Sequence, residues 1–273
     1  MPRLPPHGGV RRPPRGRMRD LSGARFPRPR PPGVLRVASF NVHHGVGADG
    51  RLDLERIARV VESADVACLQ EVDRHWSERS AFADQASWLA GRLRARLVYG
   101  VNLDRDPPAP GRPRRRYGTA ILTRHPVLEG DNTWLPRRPG REQRGLLRAL
   151  VAVRGVRVQV FNTHLQNNDA DERLDQARAI GPLAASRAGP VVLTGDLNAR
   201  PGTPEIRVLA EVLADAWPTA GEGDGRTYPA GGPDARIDYV FTSPGVEVAA
   251  AWVVRCDASD HLPVFADLRV CRT

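Results

Sequence analysis

Near the C-terminus, Ser259-Asp260-His261-Leu262-Pro263-Val264 sets a carboxylate beside an imidazole just ahead of an apolar run. A carboxylate can hold a hard cation, and an imidazole can move a proton. Similar placements recur at Asn41, Glu71, His164, Asp196 with Asn198, and Asp238, each at or just past the end of an apolar, strand-like run. Polar side chains gathered at strand ends build a reactive site on a rigid frame. These residue types suit the hydrolysis of a phosphoester. Such an ester resists attack because its negative charge repels nucleophiles. A catalyst must neutralise that charge, activate a water and stabilise the leaving oxygen. A hard divalent ion meets the first need, and Mg2+ prefers oxygen ligands supplied by one or two carboxylates.

Glu71 follows Val66-Ala67-Cys68-Leu69 and is a candidate metal ligand, since an unpaired carboxylate there is costly without a cation. Asn41 follows Val37-Ala38-Ser39-Phe40; its amide can bind a metal, a phosphate oxygen or a neighbouring carboxylate without adding charge. Asp196 and Asn198 are two apart and point the same way in extended backbone, able to grip a water, a metal and a phosphate oxygen, while Gly195 permits a close turn. His164 ends Phe161-Asn162-Thr163, and Asp238 lies in Ile237-Asp238-Tyr239-Val240. A buried Asp beside a His fixes its tautomer and raises its basicity. Ordinary structural roles compete with each of these: Asn198 as a turn cap, His164 as a satisfied core histidine, Asp238 in a structural ion pair.

The elements that must position these residues show in the hydropathy pattern from Val34 onward. Strands are predicted at 35–41, 65–70, 96–101, 118–123, 147–153, 156–163, 190–195, 237–242, 246–254 and 263–269. Helical spacing is read at 52–61, 81–95, 170–187 and 204–213, with Pro204 suited to a first turn. Arg154-Gly155 predicts a hairpin between two strands, so the sheets are not purely parallel. Residues 103–116, rich in proline and arginine, are expected to form a loop without regular structure. That loop would either bind substrate phosphates or be a solvated insertion. The pattern predicts two packed sheets flanked by helices.

The 273 residues carry a formal charge of +10 with 41% apolar residues, enough for a substantial core. Residues 1–33 hold nine arginines and one acid, so most of the excess charge lies in a Pro/Arg-rich stretch expected to be a disordered tail ahead of a domain at 34–273. Met18 offers an alternative start within it. All 41 basic residues are arginine, a bias that fits a GC-rich genome as well as a polyanion partner. No apolar run long enough for a membrane span exists, and no export signal is visible after Arg11-Arg12. With three widely spaced cysteines, Cys68, Cys256 and Cys271, this points to a cytoplasmic monomer.

Taken in order, Ser39-Phe40-Asn41, Leu69-Gln70-Glu71-Val72, Asn162-Thr163-His164-Leu165, Gly195-Asp196-Leu197-Asn198, Ile237-Asp238-Tyr239 and Ser259-Asp260-His261-Leu262-Pro263-Val264 resemble the endonuclease/exonuclease/phosphatase superfamily over residues 35–270. The resemblance implies an α/β fold, a four-layer α/β-β/α sandwich of the DNase I-like kind with two packed mixed β-sheets flanked by helices. It implies a divalent-metal-dependent phosphodiesterase, nuclease or phosphatase, with Mg2+ or Mn2+ held by Glu71, Asn41 and Asp260. His261, oriented by Asp238, would act as base or stabilise the transition state. Asp196 and Asn198 would position the attacking water, a second metal entering there in one version, and His164 would bind the scissile phosphate. Arg144 and Arg116 are candidate substrate contacts, Arg144 in competition with an ion pair to Glu142. The partner would be a phosphoester, either nucleic acid or a phospholipid headgroup. His43 stands where abasic-site endonucleases carry an acid, and Ala235-Arg236-Ile237-Asp238 replaces the Trp-Cys-Asp-Arg run of inositol 5-phosphatases. A sphingomyelinase-like phospholipid hydrolase is the alternative within the class. Outside it stands a non-catalytic nucleic-acid-binding protein acting through the tail.

Overall fold

The computed structural model describes residues 19–20 and 26–271. In chain order the strands are β1 (Arg19–Asp20), β2 (Leu35–Asn41), β3 (Val66–Arg74), β4 (Arg96–Arg105), β5 (Arg115–Thr123), β6 (Val127–Trp134), β7 (Gly145–Val153), β8 (Val156–His164), β9 (Val191–Asp196), β10 (Ala214–Asp215), β11 (Asp238–Thr242), β12 (Val246–Arg255) and β13 (Val264–Val270). The helices are α1 (Leu54–Val61), α2 (Gln85–Leu93), α3 (Ala170–Ala185), α4 (Pro204–Ala210) and α5 (Ala216–Ala220). One sheet runs β1-β12-β13-β2-β3-β5-β4 and the other β10-β11-β9-β8-β7-β6. Both are mixed: β2 and β3 are parallel, as are β8 and β9, and the other pairings are antiparallel.

Strand alternation sorts the apolar residues into three cores. Val37, Val66, Cys68 and Ile121 of the first sheet meet Leu147, Val160, Val192 and Val240 of the second in the seam between the sheets. The alternate residues Ala38, Phe40, Leu69 and Leu122 face outward and pack under Ile57 and Val61 of α1 and Leu89 and Leu93 of α2. Phe161, Leu193, Tyr239 and Phe241 do the same beneath Ala177 and Ile180 of α3 and Ile206 and Leu209 of α4. The result is the expected four-layer order of helices, sheet, sheet and helices. Asp53, Asp84 and Asp169 start α1, α2 and α3 by accepting backbone N–H bonds from the first turn.

Polar groups also stitch the seam. Gln70 Nε2 donates to Asn162 Oδ1 at 2.7 Å, and Asn162 Nδ2 donates to the Leu69 and Ala120 carbonyls at 2.9 and 3.0 Å. Both side chains are fully buried, so these bonds are costly to break and hold the two sheets in one relative position.

Four expectations need correction. The 103–116 stretch is not all loop: β4 extends to Arg105 and β5 begins at Arg115, leaving a shorter hairpin connection. Strand β6 was not expected, because it is an edge strand that is half-buried to exposed and lacks an apolar face. Gly195 makes no turn; it lies within β9, where a Cβ would meet the Thr163 carbonyl at 2.4 Å. The tail expected at 1–33 falls mostly outside the described residues, but what is described of it is docked. Arg19–Asp20 pairs with β12, Phe26 packs edge-on against Phe265 at 5.4 Å, and Arg28 lies over Trp252. The Arg154-Gly155 hairpin stands as expected, with both residues at positive φ of 49° and 80°.

Candidate active site

The second sheet lines up three of the candidates by register. His164 lies opposite Asp196 across the β8–β9 pair, and Asp196 lies opposite Asp238 across β9–β11. Residues paired across neighbouring strands share a face, so the three side chains form one row at the sheet end. The first sheet brings Asn41 from the end of β2. It brings Glu71 from a bulge in β3, where the pairing with β5 shifts between Leu69 and Val72. Glu71 sits there at φ 59°, and the bulge turns its carboxylate toward the second sheet. His261 and Asp260 come from the loop entering β13.

Asp196 Oδ2 is the hub. Asn41 Nδ2 donates to it at 3.0 Å, and His164 Nε2 and His261 Nε2 lie 3.4 and 3.6 Å away. The other oxygen, Oδ1, accepts from the Asn198 backbone N–H at 3.0 Å. His261 Nδ1 lies 3.0 Å from Asp238 Oδ2, so Asp238 holds the ring with Nε2 turned to Asp196. Asn41 Nδ2 also donates to Glu71 Oε1 at 3.1 Å, while its Oδ1 accepts from the His43 backbone N–H. Of the roles open to Asn41, this is the bridge between two carboxylates, one from each sheet.

Charge follows from burial and neighbours. Burial alone would lower the His261 pKa, but the carboxylates of Asp238 and Asp196 outweigh it and push it up to about 10. Burial pushes the Asp196 carboxyl up to about 7, against the pull of the His261 charge. His164 is lowered well below the usual imidazole range by burial and by the Arg144 charge, so it is neutral. Burial would raise Glu71, but the imidazole of His44 and the Asn41 amide hold its carboxyl far below the ordinary range. At neutral pH the site therefore pairs an imidazolium with a carboxylate that can exchange a proton, beside a second carboxylate that stays ionised.

Glu71 fits a divalent cation. Its Oε1 accepts from Asn41, and its Oε2 lies 3.7 Å from His44 Nδ1. Asp260 stands at the rim, with His43 Nδ1 3.8 Å from its Oδ1. Asp196, Asp238 and His261 also place one ligand atom each within 4.8 Å of one another. That trio is a poorer cation site, because its imidazole and Asp238 already bond each other and its ring carries positive charge.

Arg144 is 4% exposed, and its Nη1 lies 3.0 Å from Glu142 Oε1. The ion pair weighed against a substrate role is thus present, yet it is out of line for a hydrogen bond, and Nε and Nη1 of Arg144 have no acceptor among the described residues. Burial, with Glu71 nearby and against the Arg144 pull, raises the Glu142 carboxyl, which weakens it as a counter-ion. Arg116 does not join the cluster. It neighbours Tyr117, which faces Trp76 at 5.8 Å, and alternation sends Arg116 to the other side, where it bonds Asp104 at 3.3 Å. Asn198 has φ 49° and donates Nδ2 to the Leu165 carbonyl at 3.0 Å, a turn-fixing role. His44 and Tyr228 escaped the sequence reading. Tyr228 covers the His261 ring at 4.7 Å, and nothing in its Thr-Tyr-Pro context signals that.

Comparison with known proteins bears on the family and the fold. The family model described as Endonuclease/Exonuclease/phosphatase family matches residues 38–261. An endonuclease/exonuclease/phosphatase structure from Beutenbergia cavernae is similar at 31% identity and a TM-score of 0.72, over 87% of this chain and 72% of that one. A mannosyl-6-phosphatase from Bacteroides thetaiotaomicron shares the fold at 19% identity and TM-score 0.70, over 86% and 99% of the two chains. Truncated Caenorhabditis elegans TDP2 does so at 22% and 0.63, over 87% and 98%. No curated protein matches the sequence. The chain belongs to the endonuclease/exonuclease/phosphatase family.

Proposed function

We propose that this protein is a divalent-metal-dependent hydrolase of phosphoesters, acting by attack of water at phosphorus. The observation that carries the reading is the Asp196 hub. One carboxylate oxygen is ringed by Asn41, His164 and His261, within reach of an ionised Glu71. Asp196 takes the proton from the attacking water, a task suited to a group that titrates near neutrality. Asn198 Oδ1 orients that water. His261, held as an imidazolium by Asp238, stabilises the negative charge that grows on the phosphoryl oxygens. Neutral His164 donates an N–H to the scissile phosphate. Glu71 and Asp260, with Asn41 in support, would hold Mg2+ or Mn2+, whose chemistry there is charge neutralisation at the phosphoryl oxygen.

Arg144 is the proposed contact to a non-bridging phosphate oxygen, through the donors that Glu142 leaves unfilled. The Trp76 ring has the guanidinium groups of Arg79 and Arg105 5.8 and 4.6 Å from its centroid. An aromatic ring with two cations beside it suits a nucleotide or nucleic-acid leaving group, and that observation favours a nuclease or nucleotide phosphodiesterase over a lipid hydrolase.

The test is hydrolysis by the purified chain, with Mg2+ or Mn2+ and with EDTA. The substrates are plasmid and single-stranded DNA, RNA, sphingomyelin, inositol and sugar phosphates, and an aryl phosphodiester. EDTA-sensitive cleavage of one class supports the reading and names the substrate. Cleavage unaffected by EDTA would sink the metal-dependent mechanism, and no cleavage with metal bound would sink the hydrolase reading for these classes.

A further inference from the structure

We infer that His44 supplies an imidazole nitrogen to the cation anchored by Glu71, giving this centre a preference for a transition ion such as Mn2+ over Mg2+. The inference rests on the metal-dependent reading above and concerns a residue that the reading does not use.

His44 Nδ1 is buried and has no hydrogen-bond partner among the described residues. Buried polar atoms without partners are rare, and each needs an explanation. It lies 3.7 Å from Glu71 Oε2, too far for a hydrogen bond. Two ligand atoms that share one ion, each about 2.1 Å from it, lie roughly 3 to 3.4 Å apart over octahedral to tetrahedral angles. The 3.7 Å spacing is close to that of two atoms awaiting a common ion. A cation between them would satisfy the His44 nitrogen.

The backbone holds the ring in place. His43 and His44 form a short turn after β2 at φ 42° and 44°, a region that bulky residues rarely enter. Gln85 Nε2 donates to the His44 carbonyl at 2.6 Å, and the Gly45 N–H donates to the Val42 carbonyl at 2.8 Å. Both bonds fix the turn from outside the site. The neighbouring His43 differs: its Nδ1 lies 3.3 Å from the Val46 carbonyl and so has an acceptor. His44 is the orphan of the pair.

The choice of ion follows from ligand chemistry. Mg2+ takes oxygen ligands almost exclusively, whereas imidazole nitrogen suits first-row transition ions. An imidazole nitrogen beside the Glu71 carboxylate therefore favours the latter.

The test uses the full chain loaded with Mn2+. Electron spin-echo envelope modulation of the bound ion reports a directly coordinated nitrogen, and equilibrium dialysis gives Kd for Mn2+ and for Mg2+. The wild type is expected to show nitrogen modulation that is lost in His44→Asn and kept in His261→Ala. The ratio of Kd for Mg2+ to Kd for Mn2+ should fall about tenfold or more in His44→Asn. Asn tolerates a left-handed backbone, which preserves the turn. Mn2+ bound without nitrogen modulation in the wild type overturns the inference and leaves the hydrolase reading standing, whatever the variant does. Modulation that survives in His44→Asn also overturns it. Failure of the wild type to bind either ion overturns both.

Discussion

Asp238→Asn isolates what the buried carboxylate does for His261. The substitution keeps size and shape, and Asn Oδ1 can still accept from the ring at the 3.0 Å contact. Only the charge goes. At about 4 Å between charge centres and an effective dielectric of about 20, one carboxylate favours the imidazolium by roughly 4 kcal/mol. That is close to three pKa units. His261, pushed up to about 10 in the wild type, should then titrate near roughly 7. At pH 8.5 the wild type holds an imidazolium and the variant a neutral ring. If the positive charge stabilises the transition state, kcat at that pH should drop by about 30-fold, since a ring titrating near 7 is only about 3% protonated there, and part of the loss should return at lower pH. Proton–nitrogen correlation NMR of the histidine rings, followed through pH beside the rate profile, reads both quantities. An unchanged His261 titration in Asp238→Asn would refute the electrostatic argument. A shifted titration with unchanged kcat would show that the charge on His261 has no part in the reaction.

Other outcomes follow from the same geometry. The wild-type rate should rise as pH passes about 7, where Asp196 loses its proton, and fall above about 10, where His261 loses its own; a pH–rate profile checks both limbs. Chelation should abolish turnover, and Glu71→Gln should weaken cation binding by about tenfold or more in equilibrium dialysis while leaving the circular dichroism spectrum unchanged. Arg144→Ala should raise KM by about 10- to 100-fold, the value of a charged hydrogen bond of roughly 1.5 to 3 kcal/mol, with little change in thermal stability. Phe26→Ala should lower unfolding free energy by about 3 kcal/mol in urea titration, since the ring is buried against Phe265. Removal of residues 1–33 should destabilise at least as much.

Much of this was legible in the sequence because the determinants are local. Val37-Ala38-Ser39-Phe40 and Val191-Val192-Leu193 alternate or run apolar as buried strands must, and the polar residues that end them reach the site because strand ends do. The Asp196–Asp238 relation needed only strand pairing. The rest depended on non-local geometry. The Glu71 bulge is a register shift against β5, which no spacing within β3 announces. Strand β6 is a strand by pairing with β7 alone, since its Leu-Glu-Gly-Asp-Asn core has little β-propensity. Arg116 and Tyr117 are neighbours in sequence but lie on opposite faces of the sheet, and only the pairing phase of β5 tells which is which. Residues 26–33 read as Pro/Arg-rich and featureless, but one phenylalanine and two arginine pairings dock them.

The seam between the sheets has a consequence for how the chain tolerates change. Glu71 rides on one sheet and the His164–Asp196–Asp238 row on the other, with Asn41 spanning the gap. Core thickness thus acts as a spacer gauge for the chemistry. Catalytic groups need placement within about 0.5 Å, and a methyl group gained or lost at Cys68 or Val192 can shift packed layers by a comparable amount. Drift in those deep apolar positions would register as slower turnover in a protein that still melts normally. Variants of this kind would pass a stability screen and fail an activity screen, although they touch neither substrate nor cation.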